Sequence, residues 1–97
     1  MASGSIKDGF KLVTTAGTPV PLAAVDTPCK SIIITAKASN TGKIAVGGPT
    51  VVATIGATQT GVVLAAGGVL QLDITDVHNV YIDATVSGEG VTFAYLA

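Results

Sequence analysis

The chain has 97 residues, of which 48% are hydrophobic and only 11% charged, with a net charge of −1. This length fits one domain, and so little net charge excludes electrostatic binding to nucleic acid or to an anionic membrane surface. A soluble domain ordinarily has about 25% charged residues, so this charge-poor surface favours contact with other subunits. Glycine and threonine break the uncharged stretch over residues 44–72, so we expect no transmembrane helix.

Short segments rich in Val, Ile and Thr alternate with turns rich in Gly, Pro, Asn and Asp, a pattern typical of β-strands. Residues 1–9 are predicted to form a flexible N-terminal arm, and residues 10–97 a single β-sandwich domain. A first strand is predicted over residues 10–15. The prolines of the next extended piece, residues 18–22, restrict it to a sheet edge or a bend.

The clearest strand is predicted over residues 29–38. Ile32 and Ile34 lie on one side of it, and the other side begins with Ile33 and continues with Thr35 and Lys37. Apolar residues on both faces predict a central strand. The turn over residues 39–42 and the returning segment over residues 43–47 predict a β-hairpin with this strand.

The rest of the chain continues the same pattern. The long uncharged segment over residues 49–60 predicts a weak strand around residues 51–55. Later strands are predicted over residues 61–64, 69–74, 80–84 and 91–95. The total is about seven to eight short antiparallel strands, which predicts an all-β fold, either a small β-sandwich or a jelly-roll-like barrel.

Alternation along these strands predicts which side chains face the core. Phe10, Phe93 and Tyr95 are expected in the core, whereas Tyr81 and Asp83 are expected to face outward. The predicted core consists of Leu12, Ile32, Ile34, Ile44, Val46, Leu70, Leu72, Ile74, Val80, Ile82 and Phe93.

Catalytic chemistry has few candidate residues. Cys29 and His78 are the only cysteine and the only histidine, so they form the one possible Cys–His pair. A buried structural thiol and an exposed turn histidine are the commoner roles of such residues. The sequence therefore predicts neither an enzyme nor a cofactor site.

Two binding alternatives involve side chains near the last turns. Asp73, Asp76, Asp83 and Glu89 lie close in sequence and supply the oxygen ligands that Ca²⁺ prefers, but their spacing matches no calcium loop. No metal site is therefore predicted. Tyr81 is the one aromatic ring expected to face outward, which gives limited support to a module that binds glycans.

Two runs resemble segments of small virion proteins of tailed bacteriophages. They are N-T-G-K-I-A-V-G-G over residues 40–48 and V-Y-I-D over residues 80–83. The resemblance implies a structural virion protein at the capsid surface, in particular a decoration (cement) protein that binds the outer shell between capsomers and stabilises it. Its implied partner is the major capsid protein. The alternative is a tail- or fibre-associated adhesive β module that binds a surface glycan or protein.

A shell with three-fold sites favours a homotrimer, because closed symmetry then matches the binding site. The uncharged segment from residue 49 to residue 64 is too apolar to be well solvated, so it is the predicted interface; the alternative is a buried loop with weak strands. The candidate interface residues are Val51, Val52, Ile55, Val62, Val63 and Leu64.

Overall fold

The computed structural model describes residues 5–97. These residues form two antiparallel four-stranded sheets, called sheet A and sheet B, which pack face to face. The strands are β1 (Ile6–Leu12), β2 (Val20–Pro21), β3 (Ser31–Ala36), β4 (Ile44–Gly47), β5 (Val62–Leu64), β6 (Val69–Leu72), β7 (Tyr81–Ala84) and β8 (Gly90–Leu96). One short 3-10 helix, Val77–Asn79, precedes β7.

The strand order identifies the topology. Sheet A has the order β1-β8-β3-β6 and sheet B the order β2-β7-β4-β5. Consecutive strands lie in different sheets everywhere except at β4 and β5, which are neighbours in sheet B. This is the order of an eight-stranded jelly roll, in which two Greek keys wrap around one core. The predicted all-β sandwich is confirmed, with the jelly-roll connectivity.

Alternate residues from both sheets fill the core. Ile32 and Ile34 of β3, Ile44 of β4 and Ile82 of β7 are completely buried. Each such side chain stabilises the fold by about 1.5–3 kcal/mol relative to an exposed one. The predicted core is confirmed at ten of its eleven positions, of which Leu70, Leu72, Ile74 and Phe93 are partly buried; the eleventh, Leu12, is exposed.

The predicted hairpin between β3 and β4 is wrong. β3 lies between β8 and β6 in sheet A, whereas β4 lies between β7 and β5 in sheet B. The turn over residues 39–42 bonds to the β7–β8 turn: Thr41 N donates to Glu89 Oε2 over 2.7 Å, and Asn40 Nδ2 donates to Gly90 O over 2.8 Å. The chain therefore crosses between the sheets, which places the isoleucines of β3 and β4 on opposite sides of one core.

The beginning of the sandwich also differs from the prediction. Residues 6–9, expected in a flexible arm, belong to β1 and pair with the last residues of β8, from Ile6 with Leu96 to Gly9 with Phe93. Gly9 permits this pairing, because a Cβ there would lie 3.0 Å from Cζ of Phe93. The first four residues of the predicted arm lie outside the described residues.

Two other predicted segments have opposite outcomes. The proline-flanked segment forms β2 at an edge of sheet B, as predicted. The weak strand expected over residues 51–55 is wrong, since residues 48–61 form a long loop between β4 and β5. Its local hydrogen bonds replace a ladder: Thr60 N donates to Val52 O over 2.9 Å, and Gln59 Nε2 donates to Ala53 O over 3.0 Å.

Two half-buried carboxylates, those of Asp76 and Glu89, each join two connections of the chain by hydrogen bonds. The Asp76 carboxylate accepts bonds from the backbone N–H groups of Thr27 and His78, which lower its pKa. The Glu89 carboxylate accepts bonds from the backbone N–H groups of Thr41 and Gly42, which lower its pKa in the same way. Both groups therefore stabilise the fold in their ionised form.

Stability is expected to fall in acid. A lowered folded-state pKa contributes stability above the ordinary pKa, and this contribution is lost as the pH falls through the folded value. The denaturant midpoint should therefore be nearly constant between pH 7 and about pH 5 and decrease below about pH 4, since ordinary Asp and Glu pKa values are about 3.9 and 4.3. In the double variant Asp76→Asn/Glu89→Gln, the decrease should be smaller; an unchanged acid profile would contradict this assignment.

Candidate functional site

The outer faces of the two sheets differ in how they are covered. On sheet B, Val51 and Ala53 of the 48–61 loop pack against Ala45 of β4 and Tyr81 of β7, forming a small second core. The chain thus covers the outer face of this sheet with its own loop.

Asp83 fastens that loop, which corrects the prediction that it faces solvent. Its side chain is on the outer side of β7 but is only 1% exposed. Asp83 Oδ2 accepts a bond from Ala53 N over 2.9 Å, and Asp83 Oδ1 accepts bonds from Gly17 N and Ala84 N, each over 2.9 Å. One carboxylate therefore joins β7 to two separate loops.

The outer face of sheet A has no such cover among the described residues. The strand register places alternate side chains of its four strands on this side. Ile6 is 78% exposed, Phe10 63% and Ile33 45%, and Leu12 and Val69 are exposed as well. The term open face refers below to Ile6, Phe10, Leu12, Ile33, Thr35, Val69, Thr92 and Ala94.

β1 contributes most to the open face, because its amphipathic pattern is reversed. Its apolar residues, Ile6, Phe10 and Leu12, face outward, while Lys7 and Lys11 share the side of Tyr95 and Val91, which pack on the core. A register shift of one residue would exchange the two sets. Phe10, predicted in the core, is therefore exposed, and the same reversal exposes Leu12.

The open face has a shallow centre with charged groups beside it. A depression of about 520 Å³ lies among Phe10, Ile33, Thr35 and Thr92, and Asp8 and Lys37 also line it. The Lys37 ammonium lies 4.9 Å from the centroid of the Phe10 ring, a cation–π distance. The open face can therefore bury a broad apolar surface of a partner, and the Lys37 ammonium beside it can orient that partner.

The predicted interface residues do not form one surface. Val51 is buried between its own loop and sheet B, and Leu64 is buried in the main core, while Val52 is half-buried. The exposed remainder consists of Ile55, Val62 and Val63. Sequence reasoning overlooked the open face, although Ile33 signalled it, since an apolar residue on the second side of β3 requires either a cover or a partner.

The candidate catalytic pair is not joined by a hydrogen bond. Cys29 Sγ donates to Ile74 O over 3.4 Å, and His78 Nδ1 lies 2.8 Å from Ala23 O. Burial raises the pKa of the Cys29 thiol, and the nearby Asp76 charge raises it further. Both effects disfavour the thiolate that a nucleophile requires.

The four carboxylates considered for calcium have separate positions. Asp83 is buried under the loop, and Asp76 and Glu89 each bind backbone N–H groups of a different connection. Asp73 is exposed after β6. Within residues 5–97, no three His, Cys, Asp or Glu side chains converge on a possible metal position.

The aromatic rings are poorly placed for sugar stacking. Tyr81 does lie on the outer side of its strand, but the 48–61 loop packs against it. Phe10 is the exposed ring, and the Lys37 ammonium occupies one of its faces. Phe93 and Tyr95 stack with centroids 6.2 Å apart and pack on the core.

Comparisons with protein families, with curated proteins and with solved structures give no match for this chain. Among the described residues, no helix has the length and apolarity needed to cross a membrane.

Proposed function

We propose that this chain is a structural virion protein, a capsid decoration protein that binds the outer shell through its open face. The observation that carries the proposal is the difference between the two sheets. The outer face of sheet B is closed by a loop and a buried carboxylate, whereas the outer face of sheet A presents Ile6, Phe10 and Ile33 to solvent. An exposed apolar sheet face of this kind marks a protein-interaction surface.

The fold and the composition both support a protein that binds a capsid shell. Jelly rolls occur in viral capsid and lectin domains, so the analogy of fold admits both the structural and the adhesive reading. The low charge, 11% of residues, favours broad apolar contact over electrostatic recognition. The covered Tyr81 and the Lys37 ammonium over Phe10 weigh against the glycan-binding alternative.

The trimer is proposed to form on the opposite side of the molecule. Ile55, Val62 and Val63 remain exposed around β5, the edge strand of sheet B. Contact there between three copies would leave all three open faces available to the shell. Sedimentation equilibrium tests this contact, and a monomer at every concentration would contradict it.

Replacing open-face residues is expected to weaken shell binding. In the double variant Phe10→Thr/Ile33→Thr, the β-branched threonines preserve strand propensity but remove apolar area. A loss of about 1.5–3 kcal/mol per buried side chain predicts at least a tenfold weaker affinity for assembled shells, measured by cosedimentation. The melting temperature should change little, because both side chains are exposed.

Val25→Thr is the matched control, since Val25 is 70% exposed and lies outside both the open face and the proposed trimer contact. It should bind shells as the unmodified chain does. If Ile55→Thr weakens binding and the open-face variant does not, the originally predicted interface is correct and the open face is not.

The copy number in purified virions tests the placement itself. A decoration protein should be present in numbers comparable to the major capsid protein. A handful of copies would move the chain to the tail or fibres, and absence from virions would refute the structural role.

A further inference from the structure

The four sheet edges are protected to different degrees. β2 has two residues and ends at Pro21, β5 has three residues, and β6 has four. β1 has seven residues, contains no proline, and pairs with β8 along its whole length without a bulge. β1 therefore lacks the protection by short length, proline or bulge that guards an edge, and its charged residues, Lys7, Asp8 and Lys11, decide which strand it accepts.

The free backbone groups of β1 follow from its ladder. Ala97 N donates to Ser5 O and Val13 N donates to Glu89 O, each over 2.8 Å. Bonded pairs alternate along an antiparallel ladder, so the odd-numbered residues of β1 bond to β8. The N–H and C=O groups of Ile6, Asp8, Phe10 and Leu12 therefore point toward the free edge, and no described residue bonds to them.

Charge placement argues against a second copy of β1 as the added strand. Full antiparallel overlap of two copies sets Lys7 opposite Lys11 twice, in the non-hydrogen-bonded pairs where side chains are closest. Sliding one copy along the other by two residues separates the lysines. In one direction, the new register sets Asp8 opposite Asp8. In the other direction, only residues 8–12 of each copy remain paired.

The same lysines define the strand that does fit. A strand added to this edge has one side aligned with Lys7 and Lys11, and its other side aligned with Ile6, Asp8, Phe10 and Leu12. Acidic residues on the first side pair directly with the two ammonium groups. On the second side, apolar residues opposite Ile6, Phe10 and Leu12 extend the open face, and an uncharged polar residue such as threonine suits the position opposite Asp8.

We infer that β1 binds an extended segment of another polypeptide in which acidic and apolar residues alternate, adding a fifth strand to sheet A. The inference rests on the proposed function only in that this segment would belong to the docking partner. Backbone hydrogen bonds would supply affinity and the two lysines would select the partner's sequence.

Labelled peptides test this inference on the full chain. The probe is a nine-residue peptide alternating Glu with Val or Thr, and its control has Lys in place of each Glu. Fluorescence anisotropy should give at least tenfold tighter binding of the Glu peptide, weakened by added salt. NMR should show new protection of the amides of Asp8 and Phe10. Equal affinity for the two peptides would overturn the inference.

Variants separate the contributions of charge and backbone. Lys7→Glu/Lys11→Glu should reverse the peptide preference, whereas Lys43→Glu, an exposed lysine beside sheet B, should not. Asp8→Pro removes an edge N–H without touching the ladder to β8 and should abolish binding. Dimerisation of the chain alone with protection of β1 amides would assign the edge to a second copy. Shell binding without peptide binding would refute this inference and leave the proposed function intact.

Discussion

Replacing Gly90 with alanine is expected to destabilise the protein by about 3 kcal/mol, at the upper end of the cost of overpacking. A Cβ at this position would overlap the carbonyl oxygen of Lys11 and lie 2.8 Å from Cα of Leu12. These are backbone atoms of the paired strand, so no side chain can move aside. β1 would have to separate from β8 at the end where the ladder begins.

Gly90 also binds the connection that runs from β3 in sheet A to β4 in sheet B. Its carbonyl oxygen accepts bonds from Lys37 N over 3.1 Å and from Asn40 Nδ2 over 2.8 Å. Displacing Gly90 therefore disturbs the crossing from β3 to β4 as well as β1. For a domain whose total stability is about 5–15 kcal/mol, the loss is a large fraction.

Gly48→Ala is the matched control for Gly90→Ala. Gly48 has no atom within 4 Å of an added Cβ, so this change should leave the free energy of unfolding unchanged or raise it by about 0.4–1 kcal/mol. Denaturant unfolding of both variants gives the comparison. Equal stabilities would mean that β1 does not approach β8 as closely as the structure indicates.

Asp83→Ala is expected to cost about 3 kcal/mol and to release the 48–61 loop. Three backbone N–H groups, those of Gly17, Ala53 and Ala84, would lose their acceptor. Each buried donor left without a partner costs about 1–3 kcal/mol, and removal of the buried charge offsets part of the sum. Hydrogen exchange should accelerate at Gly17 and Ala53, because Asp83 joins their loops to β7.

Asp73→Ala controls for the loss of a carboxylate, since Asp73 is exposed. It should change the free energy of unfolding by no more than about 0.5 kcal/mol. If both aspartate variants unfold at the same denaturant concentration, Asp83 does not fasten the loop. Exposure of Val51 and Ala53 in the Asp83 variant would also give sheet B an uncovered apolar face, with aggregation as the visible result.

The covered face and the open face together explain the composition. A chain with so few charges needs either internal cover or a partner for its apolar surface. The 48–61 loop supplies cover for one sheet, at the expense of one buried carboxylate. The other sheet keeps its apolar side chains exposed, which is the basis for proposing a partner there.

Local sequence pattern by itself determined most of the strands. Alternation of apolar and polar residues has a period that only a strand can satisfy, so β3, β6 and β7 and their inward residues follow from it. Prolines limited β2 to an edge or a bend, because proline lacks the N–H that a second neighbouring strand would require. The composition determined that some surface of the molecule suits a partner.

Tertiary structure alone decided which strands pair and which side of each strand is buried. The turn after β3 looks like a hairpin turn, yet its backbone bonds to Glu89 and the chain crosses to the other sheet. For a similar reason, Phe10, which was predicted in the core, is exposed, and Asp83, which was predicted to face solvent, is buried. Alternation of apolar and polar residues distinguishes the two sides of a strand. Which side is buried depends on the part of the chain that packs over it, and that part is distant in sequence.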